Sequence, residues 1–374
     1  MTSQQARHNP SLSPLDPLEG TRYRTRSRLD YGGMGDVFLA NHIELGHTVV
    51  IKLLHKRLGE DEGMVDRVRL EAQTLANLRH PNLVRVIDAG NVPDGRPFFV
   101  MERLVGHTLH KEIARRGKLP VDEALIIIRG VLRGLQAAHG LGVVHRDVKP
   151  GNIFLHETDQ GTRIPKLLDF GIAKVVRKIS GGPRPLAVPT VQGGIIGTPA
   201  YLAPEQVLGR NVDVQADIYA ASLVLYKSIA GHGPFDHHKD DGHLAAAHVR
   251  DDPKPLSHYV DEPVPAELET LIRKGLSKNP EDRFQTAEEM IKALQGLESV
   301  IAKRRGKSNP PAVASMAHPR EDARERLQDQ MQAKLPCQAQ PTLQVHQIAL
   351  FLLFTISTAV VTSAAIMMLL QRIL

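Results

Sequence analysis

The chain has 374 residues, 42% of them hydrophobic, which is too long for one small domain and too apolar for a disordered tail protein. Its formal net charge of +6 invites a nucleic-acid reading, but the excess sits at the ends: residues 1–28 hold five arginines against Asp16 and Glu19, and residues 301–347 hold eight lysines and arginines against four acids. The body between them is close to neutral, and with no tryptophan and only 4% aromatic residues it excludes a basic, base-stacking nucleic-acid domain.

In chain order, residues 1–20 form a polar tail that predicts disorder, with no apolar run to act as a secretory leader and Thr2 in place of a myristoylated glycine. Residues 21–54 alternate in hydropathy and carry β-branched runs such as Val49-Val50-Ile51, as antiparallel strands do. Met64, Val68, Ala72, Leu75 and Leu78 then recur at helical spacing until His80-Pro81 stops them. Two strand-like runs follow, Leu83 to Asp88 and Phe98 to Arg103. Beyond Pro120 the pattern is helical, with Leu125, Ile128, Leu132 and Leu135 on one face and Gly140 and Gly142 at its end. A sheet-rich lobe over 21–104 thus precedes a larger helical lobe over 105–300, an α+β, two-lobed arrangement.

Residues 301–347 read as a flexible polar linker, opened by Lys303, Arg304, Arg305 and Lys307 and by Pro310-Pro311. From Ile348 to Leu370 no residue is charged. As a helix this run spans about 34 Å, enough for a hydrocarbon core of about 30 Å, so it predicts a single transmembrane helix followed by a few residues only. The one cysteine, Cys337, allows no intrachain disulfide and fits a reducing compartment.

The glycine-rich turn Gly32-Gly33-Met34-Gly35 could be an ordinary hairpin, or residues without Cβ could let backbone N–H groups close over phosphates. Lys52 sits in an apolar strand and needs a partner or an anionic ligand. Glu71 on the next predicted helix is a candidate partner, although taken alone a solvated Glu71 bridging to Arg67 four residues before it is the favoured reading. The strongest pattern is His145-Arg146-Asp147-Val148-Lys149-Pro150-Gly151-Asn152, followed 17 residues later by Asp169-Phe170-Gly171.

With these motifs the sequence resembles the protein kinases, and Lys149 after Asp147 resembles their serine/threonine branch. Gly197-Thr198-Pro199 through Ala203-Pro204-Glu205, together with Asp217 and Arg283, extends the resemblance over about 20–300, and the Gly-Gly-Met-Gly wording is similar to the eukaryotic-type Ser/Thr kinases of bacteria. The resemblance implies the protein kinase fold, ATP and Mg²⁺ as cofactors, and protein substrates bearing Ser or Thr. It implies that Asp147 accepts the substrate hydroxyl proton and that Lys149 stabilises charge on the transferring phosphoryl group, a chemistry that is mostly positioning and neutralisation. Asn152 and Asp169 would hold Mg²⁺, and Lys52, held by Glu71, would grip the α and β phosphates. Leu29, Gly32, Gly33, Met34, Gly35 and Val37 would cover the nucleotide. Met101 matches the gatekeeper, with the backbone of Glu102 and Leu104 on the adenine edge. By the same resemblance His145 and Phe170 pack, Glu205 pairs with Arg283, and Asp217 anchors the catalytic loop.

Two positions depart from the family pattern: Asp30 replaces the first glycine of the loop and places a carboxylate near phosphates, and Ser222 stands where glycine is frequent. The segment from Asp169 to Glu205 is rich in Gly and Pro and does not hold one conformation unaided. Arg146 is suited to pair with a phosphate there, with Thr190 the best-placed acceptor and Ser180 the weaker one, whereas Thr198 is expected to bond Asp147 and Lys149. His232, His237, His238, His243 and His248 also allow a Zn²⁺ or Ni²⁺ reading. The whole reads as an inner-membrane Ser/Thr kinase with its catalytic domain on the cytoplasmic side, no nucleic-acid partner, and a homodimer for autophosphorylation in trans. A membrane-anchored pseudokinase scaffold and a small-molecule kinase of the same fold are the alternatives.

Overall fold

A computed structural model describes residues 16–32, 35–55, 78–169, 199–238, 240–260 and 263–307. The first strands are β1 (Tyr23–Gly32), β2 (Gly35–His42), β3 (Thr48–Leu54), β4 (Val86–Asn91) and β5 (Pro97–Met101). They form one antiparallel sheet in the order β1-β2-β3-β5-β4. The period of two in the sequence becomes burial here: Val49, Ile51 and Leu53 all point into one core with Phe38, Phe98 and Val100, and Lys52 therefore faces the other side.

Two strand boundaries differ from the sequence reading. Leu83 does not begin β4; it forms an isolated parallel bridge to Leu167, and the Val84 N–H donates to the Leu167 carbonyl at 2.9 Å. Likewise β5 stops at Met101, because the Glu102 N–H turns to the Arg85 carbonyl at 3.0 Å as the chain leaves the sheet.

The second lobe contains a sheet that the helical pattern did not announce: β6 (Gly106–Thr108), β7 (Ile153–Glu157) and β8 (Arg163–Leu167). Runs of three to five residues give too little alternation to stand out, although Ile153 and Leu155 do bury one face. Around it lie α1 (Leu109–Arg116), α2 (Val121–His139), α3 (Pro204–Val207), α4 (Val214–Ala230), α5 (Asp241–Arg250), α6 (Ala266–Gly275) and α7 (Ala287–Lys307). Helix α2 matches its prediction, with Leu125, Ile128, Leu132 and Leu135 all at 1% exposure or less. Each such side chain contributes about 1.5–3 kcal/mol of burial. Helix α4 is buried on every face from Ala216 to Leu225. Helix α7 continues to Lys307, past the boundary at 300 read from composition, because Ile301 still packs on the core.

One carboxylate ties the outer side of this lobe together. Glu112 on α1 has no exposed surface and accepts from His107 (2.7 Å), Arg115 (2.9 Å), Arg116 (3.1 Å) and Arg163 (3.3 Å), so that β6, α1 and β8 meet at one anion. Burial works to raise its pKa, but the bonds from Arg115, His107 and Arg116 prevail and hold it down at about 2.

Ser222 explains itself in this packing. Its hydroxyl donates to the Ile218 carbonyl at 2.9 Å, and a Cβ on Gly275 would lie 2.0 Å from its Oγ. The extra atoms at 222 are accommodated by a glycine on α6. Of the tail predicted over 1–20, residues 16–20 instead form a turn whose Leu18 is fully buried in the core of the sheet lobe, while residues 1–15, the helix around Met64 to Leu75 and the apolar run 348–370 lie outside the described residues. Among those described, no helix is long and apolar enough to cross a membrane.

Candidate active site

The start of the 145–152 segment is anchored by Asp217, a fully buried acid near the start of α4. Its Oδ2 accepts from the His145 N–H (2.8 Å) and from His139 Nε2 (2.8 Å), and its Oδ1 from the Arg146 N–H (2.7 Å). Those bonds hold Arg146 in the left-handed region, at φ +63°, a conformation that costs a side-chain-bearing residue about 1–3 kcal/mol unless its surroundings fix it. The Arg146 carbonyl is fixed too, by Gln206 Nε2 at 3.1 Å.

His145, expected only to pack, also relays hydrogen bonds. The Asp147 N–H donates to its Nδ1 at 3.2 Å, which leaves Nε2–H to donate to the Leu168 carbonyl at 2.8 Å. The result joins the 145–152 segment to the residue before Asp169. A second tie runs beside it, from the Leu168 N–H to the Asn152 carbonyl at 2.8 Å.

The reactive-looking groups converge on Asp147. Its Oδ2 accepts from Asn152 Nδ2 at 2.8 Å and lies 2.9 Å from Lys149 Nζ. Asn152 Nδ2 also donates to the Asp147 carbonyl at 2.8 Å, so both of its hydrogens are engaged and its Oδ1 is left as a hard oxygen donor. With the Asp169 carboxylate next to the same loop, the donor set is all oxygen. That set fits a hard divalent cation and not a thiophilic one. Asp169 has φ +45°, a second left-handed residue in the same site.

Lys52 reaches Asp169, with Nζ 2.8 Å from Oδ2. The partner expected from sequence, Glu71, lies outside the described residues, as do Gly33, Met34, Phe170, Ser180, Thr190 and Thr198. In the sheet Lys52 pairs with Val37 on one side and Phe99 on the other. Gly32 and Gly35 pair across the tip of the β1–β2 hairpin. Gly35 is required by packing as well as by any ligand, since a Cβ there would come within 2.3 Å of the Leu53 carbonyl oxygen. Leu29 is 54% exposed, and the Asp30 carboxylate, also exposed, accepts from the Tyr31 N–H at 2.8 Å.

The link after β5 contains a feature that sequence reasoning missed. Because the Glu102 N–H is taken by Arg85, its main chain offers only a carbonyl, with Leu104 two residues on. The Glu102 side chain turns back and accepts from Lys166 Nζ (2.7 Å) and the Arg85 N–H (2.9 Å). Lys166 is buried, and the signal for it was the same as for Lys52: a lysine among apolar strand residues must have a partner.

Away from the loop, Arg283 and Glu205 form the expected buried pair, bidentate at 2.8 Å for each bond, with the guanidinium 4.8 Å above the Tyr219 ring. Three carbonyls, of Ser277, Gln215 and Lys278, take its remaining hydrogens. The five histidines do not converge on one point, and of them His237 and His238 lie side by side, with ring centroids 4.1 Å apart. His248 is buried against Tyr219 and Phe235, and burial, then Lys278, pushes its pKa down to about 3. His232 packs on Tyr259, and His243 bonds Asp240.

Residues 23–294 match the protein kinase domain family. The chain is 35% identical over 320 residues to serine/threonine-protein kinase pkn3 of Myxococcus xanthus, covering 84% of this chain and 57% of that protein. It is 40% identical to serine/threonine-protein kinase PksC of Streptomyces coelicolor, over 73% of this chain and 48% of the relative. The chain thus spans about half the length of these curated relatives. Among solved structures, the kinase domain of Mycobacterium tuberculosis PknI superposes with a TM-score of 0.56 at 28% identity, over 74% of this chain and 96% of that one. The chain therefore belongs to the protein kinase family, with that family's two-lobed fold of a β-sheet lobe and a helical lobe.

Proposed function

We propose that this chain is an ATP-dependent serine/threonine protein kinase, tethered to the inner membrane by residues 348–370 with its catalytic domain in the cytoplasm. The observation that carries the reading is the Asp147 carboxylate, oriented by Asn152 and Lys149 on a loop whose backbone is fixed by Asp217. Asp147 orients a Ser or Thr hydroxyl and takes its proton as the oxygen bonds to the γ-phosphorus and the bond to the β-phosphate oxygen breaks. Lys149 stands beside the charge that accumulates on the moving phosphoryl group, and Lys52 on the α and β phosphates. The Glu102 carbonyl and the Leu104 N–H take the adenine edge, and Leu29, Val37 and the glycine hairpin cover the nucleotide. Asn152 Oδ1 and Asp169 hold Mg²⁺, which when bound neutralises phosphate charge. Two lobes that divide near residue 104, the second running to the end of α7 at Lys307, fit this division of labour.

Regulation belongs to the same proposal. A second copy phosphorylates Thr190, whose phosphate pairs with Arg146 and orders the segment that follows Asp169, and Thr198 bonds Asp147 and Lys149.

Phosphate transfer from labelled ATP tests the reading. Asp147→Asn is expected to lower kcat by about 10²–10⁴-fold with an unchanged circular dichroism spectrum. Wild-type rates from that variant overturn it. The full chain is expected in the membrane fraction, and a chain lacking 341–374 in the soluble fraction with its activity intact. Phosphate on Thr190 in active enzyme, read by mass spectrometry, supports the regulatory part.

A further inference from the structure

We infer that His237, His238 and Asp251 form a binding site for a borderline divalent transition ion, with Zn²⁺ the best fit. One ligand atom from each of the three residues lies within 4.8 Å of the other two. The His238 ring nitrogen Nε2 is 3.2 Å from Asp251 Oδ2, and the His237 and His238 rings sit beside each other with centroids 4.1 Å apart. An ion bonded at about 2.1 Å to each ligand spans up to about 4.2 Å between them, and about 3.4 Å in a tetrahedron, so a small rotation of one side chain closes the site. Two imidazoles and one carboxylate suit Zn²⁺, Co²⁺ or Ni²⁺ and not Mg²⁺ or Ca²⁺, which prefer oxygen alone.

The neighbours leave these ligands available to an ion. Lys278, the nearby cation, commits its ammonium to the carbonyls of Ala247 and His248 at 3.4 and 3.0 Å. His243 is occupied with Asp240, and His248 is buried with its Nδ1 on the Tyr219 hydroxyl. His238 is partly buried while His237 and Asp251 are exposed, which leaves solvent access for the ion and a water as fourth ligand. Asp251 caps the end of α5, and His237 and His238 precede that helix. The ion therefore closes the stretch 239–250 into a loop, with α5 inside it, and stabilises the folded state through that closure and through its own binding. This site shares no residue with the catalytic loop and stands independently of the kinase reading.

The test is calorimetric titration of the full chain in detergent with Zn²⁺ alone, and with Co²⁺ for its visible absorption. The expected result is one ion whose affinity falls at least about tenfold in each of His237→Ala, His238→Ala and Asp251→Asn, together with loss of the Co²⁺ band. His243→Ala is expected to bind as the wild type does. Circular dichroism of the metal-free variants verifies that they are folded, so the effect is read on intact protein. Absence of binding to the wild type overturns the site. Binding that survives all three substitutions, or that His243→Ala weakens as much as they do, overturns it as well.

Discussion

The 145–152 loop is tied through Leu168 to the residue before Asp169, and Lys52, the ion-pair partner of Asp169, lies on β3 beside the β1–β2 hairpin, yet loop and hairpin are held by opposite means. The loop is held by hydrogen bonds to Asp217, within itself through His145 and Asn152, and to Leu168, and two of the residues in the site have positive φ. The hairpin's first strand, β1, lies at the sheet edge with β2 as its neighbour, and its outer side is in solvent, where Leu29 and Tyr31 are 54% and 67% exposed. The difference teaches where rigidity is required. Groups that touch the reacting atoms gain from prepaid positioning, whereas a cover that must admit and release a nucleotide does not.

The contrast breaks first at Asp217. Asp217→Asn keeps the shape but leaves one acceptor oxygen for two backbone N–H groups, which strands a buried donor at a cost of about 1–3 kcal/mol. We expect kcat to fall by on the order of 10²-fold as the loop shifts, with a smaller change in the KM for ATP. Steady-state kinetics beside a thermal melt reads both, and an unchanged kcat would show that Asp217 is not what positions Asp147.

A gentler push on the same helix sharpens the comparison. Gly275→Ala drives a Cβ against Ser222, one turn and a residue beyond Asp217 on α4, and is expected to cost about 1–3 kcal/mol of stability. Adding Ser222→Gly is expected to restore most of it, because the two sites share one contact. Chemical denaturation of the two single variants and the double one decides this, and additive losses would refute the shared contact.

The smallest effect belongs to the open side. Asp30→Gly removes an exposed carboxylate from the hairpin and is expected to lower the KM for ATP by about two- to fivefold, a difference that shrinks as salt is added. A larger, salt-independent change would mean that Asp30 sits in the site and not at its solvent edge.

What could be read in the sequence followed short-range chemistry. The spacing of Asp147, Lys149, Asn152 and Asp169 announced a site, and the buried Glu205–Arg283 pair and the anchoring role of Asp217 followed from resemblance to a family. Unread were the contacts between distant residues. Nothing local in Ser222 points to Gly275, and Glu102 gives no sign that its carboxylate turns back to Lys166. The histidine-rich stretch was legible only in part. Five imidazoles close in sequence were separated by a helix into a core residue, a ring contact, a cap partner and one adjacent pair. The strands β6 to β8 were too short for periodicity to outweigh the helices around them.

The Glu112 junction carries a consequence for acid conditions. A carboxylate held at about 2 in the folded chain and near 4.5 in the unfolded one stabilises the fold fully above the ordinary carboxylate range, and that contribution fades only as pH falls from about 4.5 towards 2. The meeting of β6, α1 and β8 thus keeps its charge pattern through mild acidification, while surface carboxylates with ordinary pKa values are already taking up protons.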